Sequence, residues 1–96
     1  MTASANAYAL PESLGAAAAP GLAEALRGLR GAPLTLQAGG VRRMGAQAVQ
    51  VLLSAAATWR ADGGHLSVQE RSAEFREALR LLGLSVESVT VGDCAA

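Results

Sequence analysis

Catalysis needs a nucleophile, a base or a metal, held in place by further polar groups. Few residues of this 96-residue chain can supply one. His65 is the only histidine and Cys94 the only cysteine. His65 follows Gly63-Gly64 and opens a short alternating run, which reads as a strand end or a surface position. Cys94 sits close to the C-terminus with no arginine near it in sequence, so it reads as a tail thiol and not a reactive one. The two together fall short of the roughly four ligands a zinc site requires. A lone cysteine forms no internal disulfide, which suits a reducing, cytoplasmic compartment. Gly39-Gly40 precedes a helical segment but lacks the Lys-Ser/Thr of a phosphate loop. The residue types therefore predict no enzyme, no cofactor and no metal.

The charged residues point to surfaces. Glu74 and Glu77 alternate with Arg76 and Arg80 as a solvated helix face, where a pair is worth about 0–1 kcal/mol. Arg42-Arg43 lies in an irregular stretch between a strand and a helix. A solvated loop is one reading; the functional one is the rim of a docking surface, since arginine is enriched at interface hot spots. Eight arginines and no lysine balance eight acids, for a net charge of zero. That balance excludes a nucleic-acid binder held by phosphate neutralisation. No apolar run approaches the roughly 18 residues of a membrane span. The first nine residues lack the basic start and long apolar stretch of a signal peptide.

These residues need elements to position them. Apolar residues make up 51% and aromatics 3%, so a core is expected, built from Leu, Val and Ala. Residues 5–10 read as a first strand, ended by Pro11. A Gly/Ala-rich connection over 14–19 leads into a helix starting near Ala18, with Pro20 in its first turn. Leu22, Ala25, Leu26 and Leu29 mark its buried face and Gly31 its end. Residues 33–38 read as a second strand, broken by Gly39-Gly40, and 41–44 as a connection. From Gly45 or Ala46 to Ala61 the chain is helical and apolar over much of its circumference, with Trp59 in or at the edge of the core. Residues 65–69 read as a third strand. Ser72 is the predicted N-cap of a last helix carrying Phe75, Ala78, Leu79 and Leu82, closed by a left-handed Gly83. Residues 85–91 read as an edge strand or a loose tail, and 92–96 as frayed. Alternating strands and helices predict an α/β fold: a mostly parallel sheet of about four strands with three to four helices, in one domain over 1–96 with its core over about 5–85.

The run LTLQAGGVRRMGAQAVQVLL at 34–53, with WRADGG at 59–64, resembles the STAS family, which includes anti-sigma-factor antagonists. GGV at 39–41 matches the family's turn. Met44 matches the apolar residue before its Asp-Ser/Thr-Ser/Thr-Gly motif, and Val49, Leu52 and Leu53 match the helix that follows. Ala19-Pro20-Gly21-Leu22 resembles the start of the family's first helix. The resemblance covers about residues 5–85. It implies a non-catalytic interaction module docking its partner through Gly40, Val41, Arg42, Arg43, Met44, Gly45, Ala46 and Gln47.

The departures from the family pattern are as informative. The motif falls on Gly45, Ala46, Gln47 and Ala48. Neither Ala46 nor Gln47 bears the hydroxyl that a partner kinase phosphorylates in switchable members. Gln47, at the phosphosite-equivalent position, is not phosphorylatable and does not carry the charge of about −1.5 to −2 that a phosphoserine brings. Gln37 replaces an Asp near the end of the preceding strand. Ser54 and Thr58 are the nearest hydroxyls to which a switch could have moved. QVLLSAA at 50–56 and TWRADG at 58–63 resemble short STAS proteins encoded with alphaproteobacterial chemotaxis genes, which implies a histidine kinase as partner and modulation of phosphate flow to response regulators. Two other roles fit the same fold: accessory subunit of a phospholipid-transport ATPase, or anti-sigma-factor antagonist binding a serine kinase. Neither membrane insertion nor nucleic acid is implied.

Overall fold

The computed structural model describes residues 6–92. Cys94, most of the tail at 92–96 and Ala5 of the first expected strand lie outside the described residues. The elements are β1 (Asn6–Ala9), β2 (Ser13–Leu14), α1 (Ala19–Gly28), β3 (Leu34–Gln37), β4 (Arg43–Met44), α2 (Ala46–Ala61), β5 (Leu66–Gln69) and α3 (Ala73–Leu81), with 3-10 turns at Ala16–Ala18 and Val86–Val89. The α/β fold class and the strand–helix alternation are as expected.

β1, β3 and β5 form one parallel sheet in the order β1-β3-β5. Asn6 pairs with Leu34 and Leu34 with Leu66, so the three strands run in step. Strand order follows chain order with no reversal. Right-handed crossovers that all step in one direction place their helices on one face of the sheet. The burial pattern agrees. Leu34, Leu36, Leu66 and Val68 are buried, while Ala7, Thr35 and Ser67 on the alternate positions are exposed or half-buried. Most parallel sheets are covered on both faces. Here the open face is made tolerable by its residues, with Thr35 Oγ1 and Ser67 Oγ hydrogen-bonded at 3.1 Å and Gln37 and Gln69 exposed.

One core cluster joins the covered face to the helices. From α1 it takes Leu22 and Leu26, with Leu29 packed against it. From α2 it takes Ala48, Val49, Leu52, Ala55, Ala56 and Trp59, and from α3 Phe75 and Leu79. Trp59 is 3% exposed and its Nε1 donates to Ala32 O at 3.0 Å, so it is core. Beside it Arg30 grips Asp62 through two hydrogen bonds of 2.8 and 3.0 Å, joining the end of α1 to the end of α2. Gly63 at φ 72° closes α2, with Gly63 N bonded to Arg60 O and Gly64 N to Trp59 O, the double bond of a Schellman cap.

Three local readings are corrected. β2 and β4 pair in parallel where connections were expected, because the loop after β1 and the loop after β3 lie alongside each other. Residues 85–91 are neither strand nor loose tail. Ser85 and Ser88 form a capping box around a 3-10 turn, and Val86 and Val89, three residues apart, share its inner side. Val91 then makes a single antiparallel bridge to Leu66 on the outer edge of β5. Leu82 follows the last residue of α3 and is 47% exposed, so it leaves the stripe that Phe75 and Leu79 define.

Candidate protein-docking site

All three strands of the main sheet end on the same side, so the loops after β1, β3 and β5 converge there. Sites in parallel α/β sheets form beyond the carboxyl ends of the strands. Residues 40–47 occupy this end, and backbone hydrogen bonds hold them. Arg42 N and Arg43 N both donate to Glu12 O, at 2.8 and 3.1 Å, and Gly45 N donates to Leu14 O at 3.0 Å. From the other side Ser72 Oγ donates to Val41 O at 2.7 Å. The same oxygen accepts from Phe75 N at 3.0 Å as the expected N-cap of α3. One hydroxyl thus starts α3 and ties it to the candidate loop. Gly39 explains the close approach of these loops. A Cβ there would lie 3.0 Å from Glu70 O and 3.3 Å from Glu70 Cβ, and Glu70 itself turns through φ 54°.

The expected site residues do not all reach the surface. Gly40, Arg42, Arg43, Ala46 and Gln47 are exposed, and Met44 and Gly45 are half-buried. Val41 is a correction: it is 0% exposed and belongs to the core cluster. A short apolar residue beside a two-strand ribbon is the anchor that fixes the loop, so Val41 positions the surface and is not part of it. The two arginines also part company. Side chains alternate along extended backbone, so Arg42 and Met44 share a side. Both line a groove against α3, and Arg43 does not. Neither arginine makes an ion pair among the described residues.

Gly45 is the N-cap of α2, extended at φ −94° and ψ 174°, and it offers no side-chain cap. No acid stands in the first turn. Ala46 and Gln47 therefore open α2 on the solvent side, where the helix dipole favours negative charge. Ala48, the fourth position of the motif, is fully buried.

Sequence reasoning missed the contribution of α3. The groove runs between β4 and α3, has a volume of about 500 Å³, and is lined by Arg42, Met44, Glu74, Glu77, Ala78 and Leu81 among others. Leu81 is 69% exposed. The signal was present in Leu79, Leu81 and Leu82, since a helix of this length has one apolar stripe and cannot bury all three. Arg80 holds Glu77 through bonds of 3.0 and 2.6 Å, and this hydrogen bonding keeps the Glu77 carboxyl below the usual carboxylate range. The expectation of a solvated Glu/Arg face on α3 holds for Glu74, Arg76, Glu77 and Arg80, all exposed.

Ser54 and Thr58 lie elsewhere, along a groove of about 530 Å³ between α1 and α2 whose floor includes Leu26, Ala55 and Trp59. His65 is exposed at the opposite end of the sheet, its ring occupying the space a side chain at Gly92 would fill. Among the described residues no group of three or more His, Cys, Asp or Glu side chains is placed to hold a metal ion.

Comparison with known proteins bears on the whole chain. The family model described as "Mlab, STAS domain" matches residues 3–91. The chain belongs to the STAS family. Neither a curated protein nor a solved structure matches it. STAS domains are generally non-catalytic modules that bind other proteins, some of them antagonists of anti-sigma factors. In this STAS domain no helix among the described residues is long and apolar enough to cross a membrane.

Proposed function

We propose that this STAS domain is a non-catalytic docking module in bacterial signalling, whose partner is a chemotaxis histidine kinase and whose effect is to shift phosphate flow to response regulators. The observation that carries the reading is the rim of exposed Gly40, Arg42, Arg43, Ala46 and Gln47, with half-buried Met44 and Gly45 between them, on a backbone fixed by Glu12, Leu14 and Ser72. Such a surface is preorganised, so little ordering cost opposes binding. At the helix start Ala46 and Gln47 offer no hydroxyl, so docking here is governed by occupancy and not by phosphorylation of that turn. A bound partner is shifted only by the difference in affinity between its states.

The test is calorimetric titration of the purified kinase with the STAS domain, alongside the kinase's autophosphorylation and transfer rates. The expected result is saturable binding, a changed transfer rate and no label on residues 45–48. Absence of binding at about 100 μM, a free energy near −5.5 kcal/mol, excludes the kinase as partner.

A second reading keeps the surface and changes the partner to the ATPase of a phospholipid-transport complex. The family designation Mlab favours it, and the missing hydroxyl counts against it. Titration of that ATPase under the same conditions separates the two.

A further inference from the structure

The turn after β5 deepens the docking reading and rests on it. Among the described residues Glu70 is the one non-glycine position with positive φ, at 54°. The turn imposes that conformation. Ala38 N donates to Gln69 O at 2.9 Å, and Ser72 N donates back to Ala38 O at 3.2 Å. Residues 69 and 72 are thus clamped to one buried alanine, and only residues 70 and 71 remain to turn the chain. A left-handed backbone costs glycine little and a residue with a Cβ more. Asn, Asp and His are the side chains enriched there, and glutamate is not. The glutamate side chain is also placed. Its Oε1 lies 3.5 Å from where a Cβ on Gly39 would stand, so the exposed carboxyl group lies over the start of the docking loop, beside Gly40.

Net charge does not single this residue out. Glu12, Glu74, Arg42, Arg43, Arg71 and Arg76 are exposed as well, and like Glu70 they make no ion pair among the described residues. What distinguishes Glu70 is strain together with placement. Strained residues persist where the surrounding structure over-determines them, and they cluster at functional sites. We infer that Glu70 is a contact residue of the docking surface, its carboxylate accepting a hydrogen bond from an N–H donor of the protein partner. An ionised carboxylate is an acceptor only, and its bonds are stronger than those between neutral groups. The turn is fixed at both ends, so the group is presented with little ordering cost.

The experiment is calorimetric titration of the purified histidine kinase with the whole chain and its variants, beside a thermal melt of each. Glu70→Gly relieves the turn and removes the carboxylate. It is expected to melt about 2–5 °C higher than the unaltered chain and to bind about tenfold more weakly. Glu70→Gln keeps the length of the side chain and the demand on its backbone, and removes only the charge. It is expected to melt within about 1 °C of the unaltered chain and to bind about fivefold more weakly. Glu24→Gln, on α1, is the charge control and is expected to leave binding within about twofold. Full affinity in both Glu70 variants overturns the inference. So does a loss confined to Glu70→Gly, which assigns the effect to the backbone and not to the carboxylate. A melting temperature that does not rise with Glu70→Gly also overturns it, since the turn is then unstrained. The two levels separate. If Gln47→Lys weakens the kinase complex and neither Glu70 variant does, the docking surface stands and the role of Glu70 falls. If the unaltered chain does not bind the kinase, both fall.

Discussion

The two ends of the sheet are held together by different means. At the amino ends of the strands, α1 and α2 finish side by side, joined by the Trp59 hydrogen bond, the Arg30–Asp62 pair and the glycine cap at Gly63. The Trp59 indole and the Arg30 and Asp62 side chains there have their partners within the chain. At the carboxyl ends, backbone ribbons and the Ser72 hydroxyl hold the loops, while Arg42 and Arg43 make no ion pairs among the described residues and Ala46 and Gln47 at the start of α2 are exposed. The first end spends its side chains on stability. The second fixes its backbone and leaves its side chains free, which is what a binding surface requires. A parallel sheet makes this division natural, since it gathers all helix starts at one end and all helix stops at the other.

The largest expected effect strikes the amino end. Trp59→Ala removes a ring that is 97% covered and orphans Ala32 O, and is expected to cost about 3–5 kcal/mol. Urea unfolding measures it. Below the transition, affinity for the proposed kinase partner is expected to stay unchanged; a parallel loss of affinity breaks the division between the two ends. Ser72→Ala acts at the carboxyl end. It removes the cap of α3 and the bond to Val41 O, for an expected loss of about 1–2 kcal/mol. Unlike the Trp59 change it is also expected to weaken docking, because the loop carrying Arg42 loses its tie to α3. Surface resonance on the kinase separates the two variants.

Acid pH sharpens the contrast at smaller amplitude. Hydrogen bonds from Arg30, Arg80 and Ser85 hold the carboxyls of Asp62, Glu77 and Glu87 below the ordinary carboxylate range. The unfolded chain therefore takes up these protons at higher pH than the folded one. The stability they contribute is fully present above the unfolded values and is lost as pH falls through the folded ones. The urea midpoint is expected to drop between about pH 6 and about pH 3, and Arg30→Gln is expected to make that drop shallower. The smallest effect is a gain. Gly45→Asp supplies α2 with the side-chain cap it lacks, in open space since a Cβ there comes no closer than 3.9 Å to Leu14 O. An increase of a few tenths of a kcal/mol is expected in thermal unfolding.

Much of this molecule was legible along the chain. The i, i+4, i+7 spacing of Leu22, Leu26 and Leu29 and the Ser72 cap located helices to within a residue or two, because periodicity and capping are local properties. The glycines at 63 and 83 marked helix ends for the same reason, since positive φ there is a demand of the turn itself. The site was legible only as a stretch of sequence. Val41 and Arg42 are neighbours in the chain, yet one is sealed in the core and the other is solvent-exposed.

By itself the sequence determined the fold class, the alternation of the three main strands and helices, the lack of a hydroxyl at positions 46 and 47 and the family. Tertiary structure alone decided that the sheet keeps one face open, that Arg42 and not Arg43 lines the groove, and that Leu81 on α3 joins the candidate surface. The physical reason is one of range. Helix spacing and caps act over about four residues, whereas the groove brings residue 42 to residue 81 through a ribbon pairing and a shared hydroxyl that no local pattern encodes.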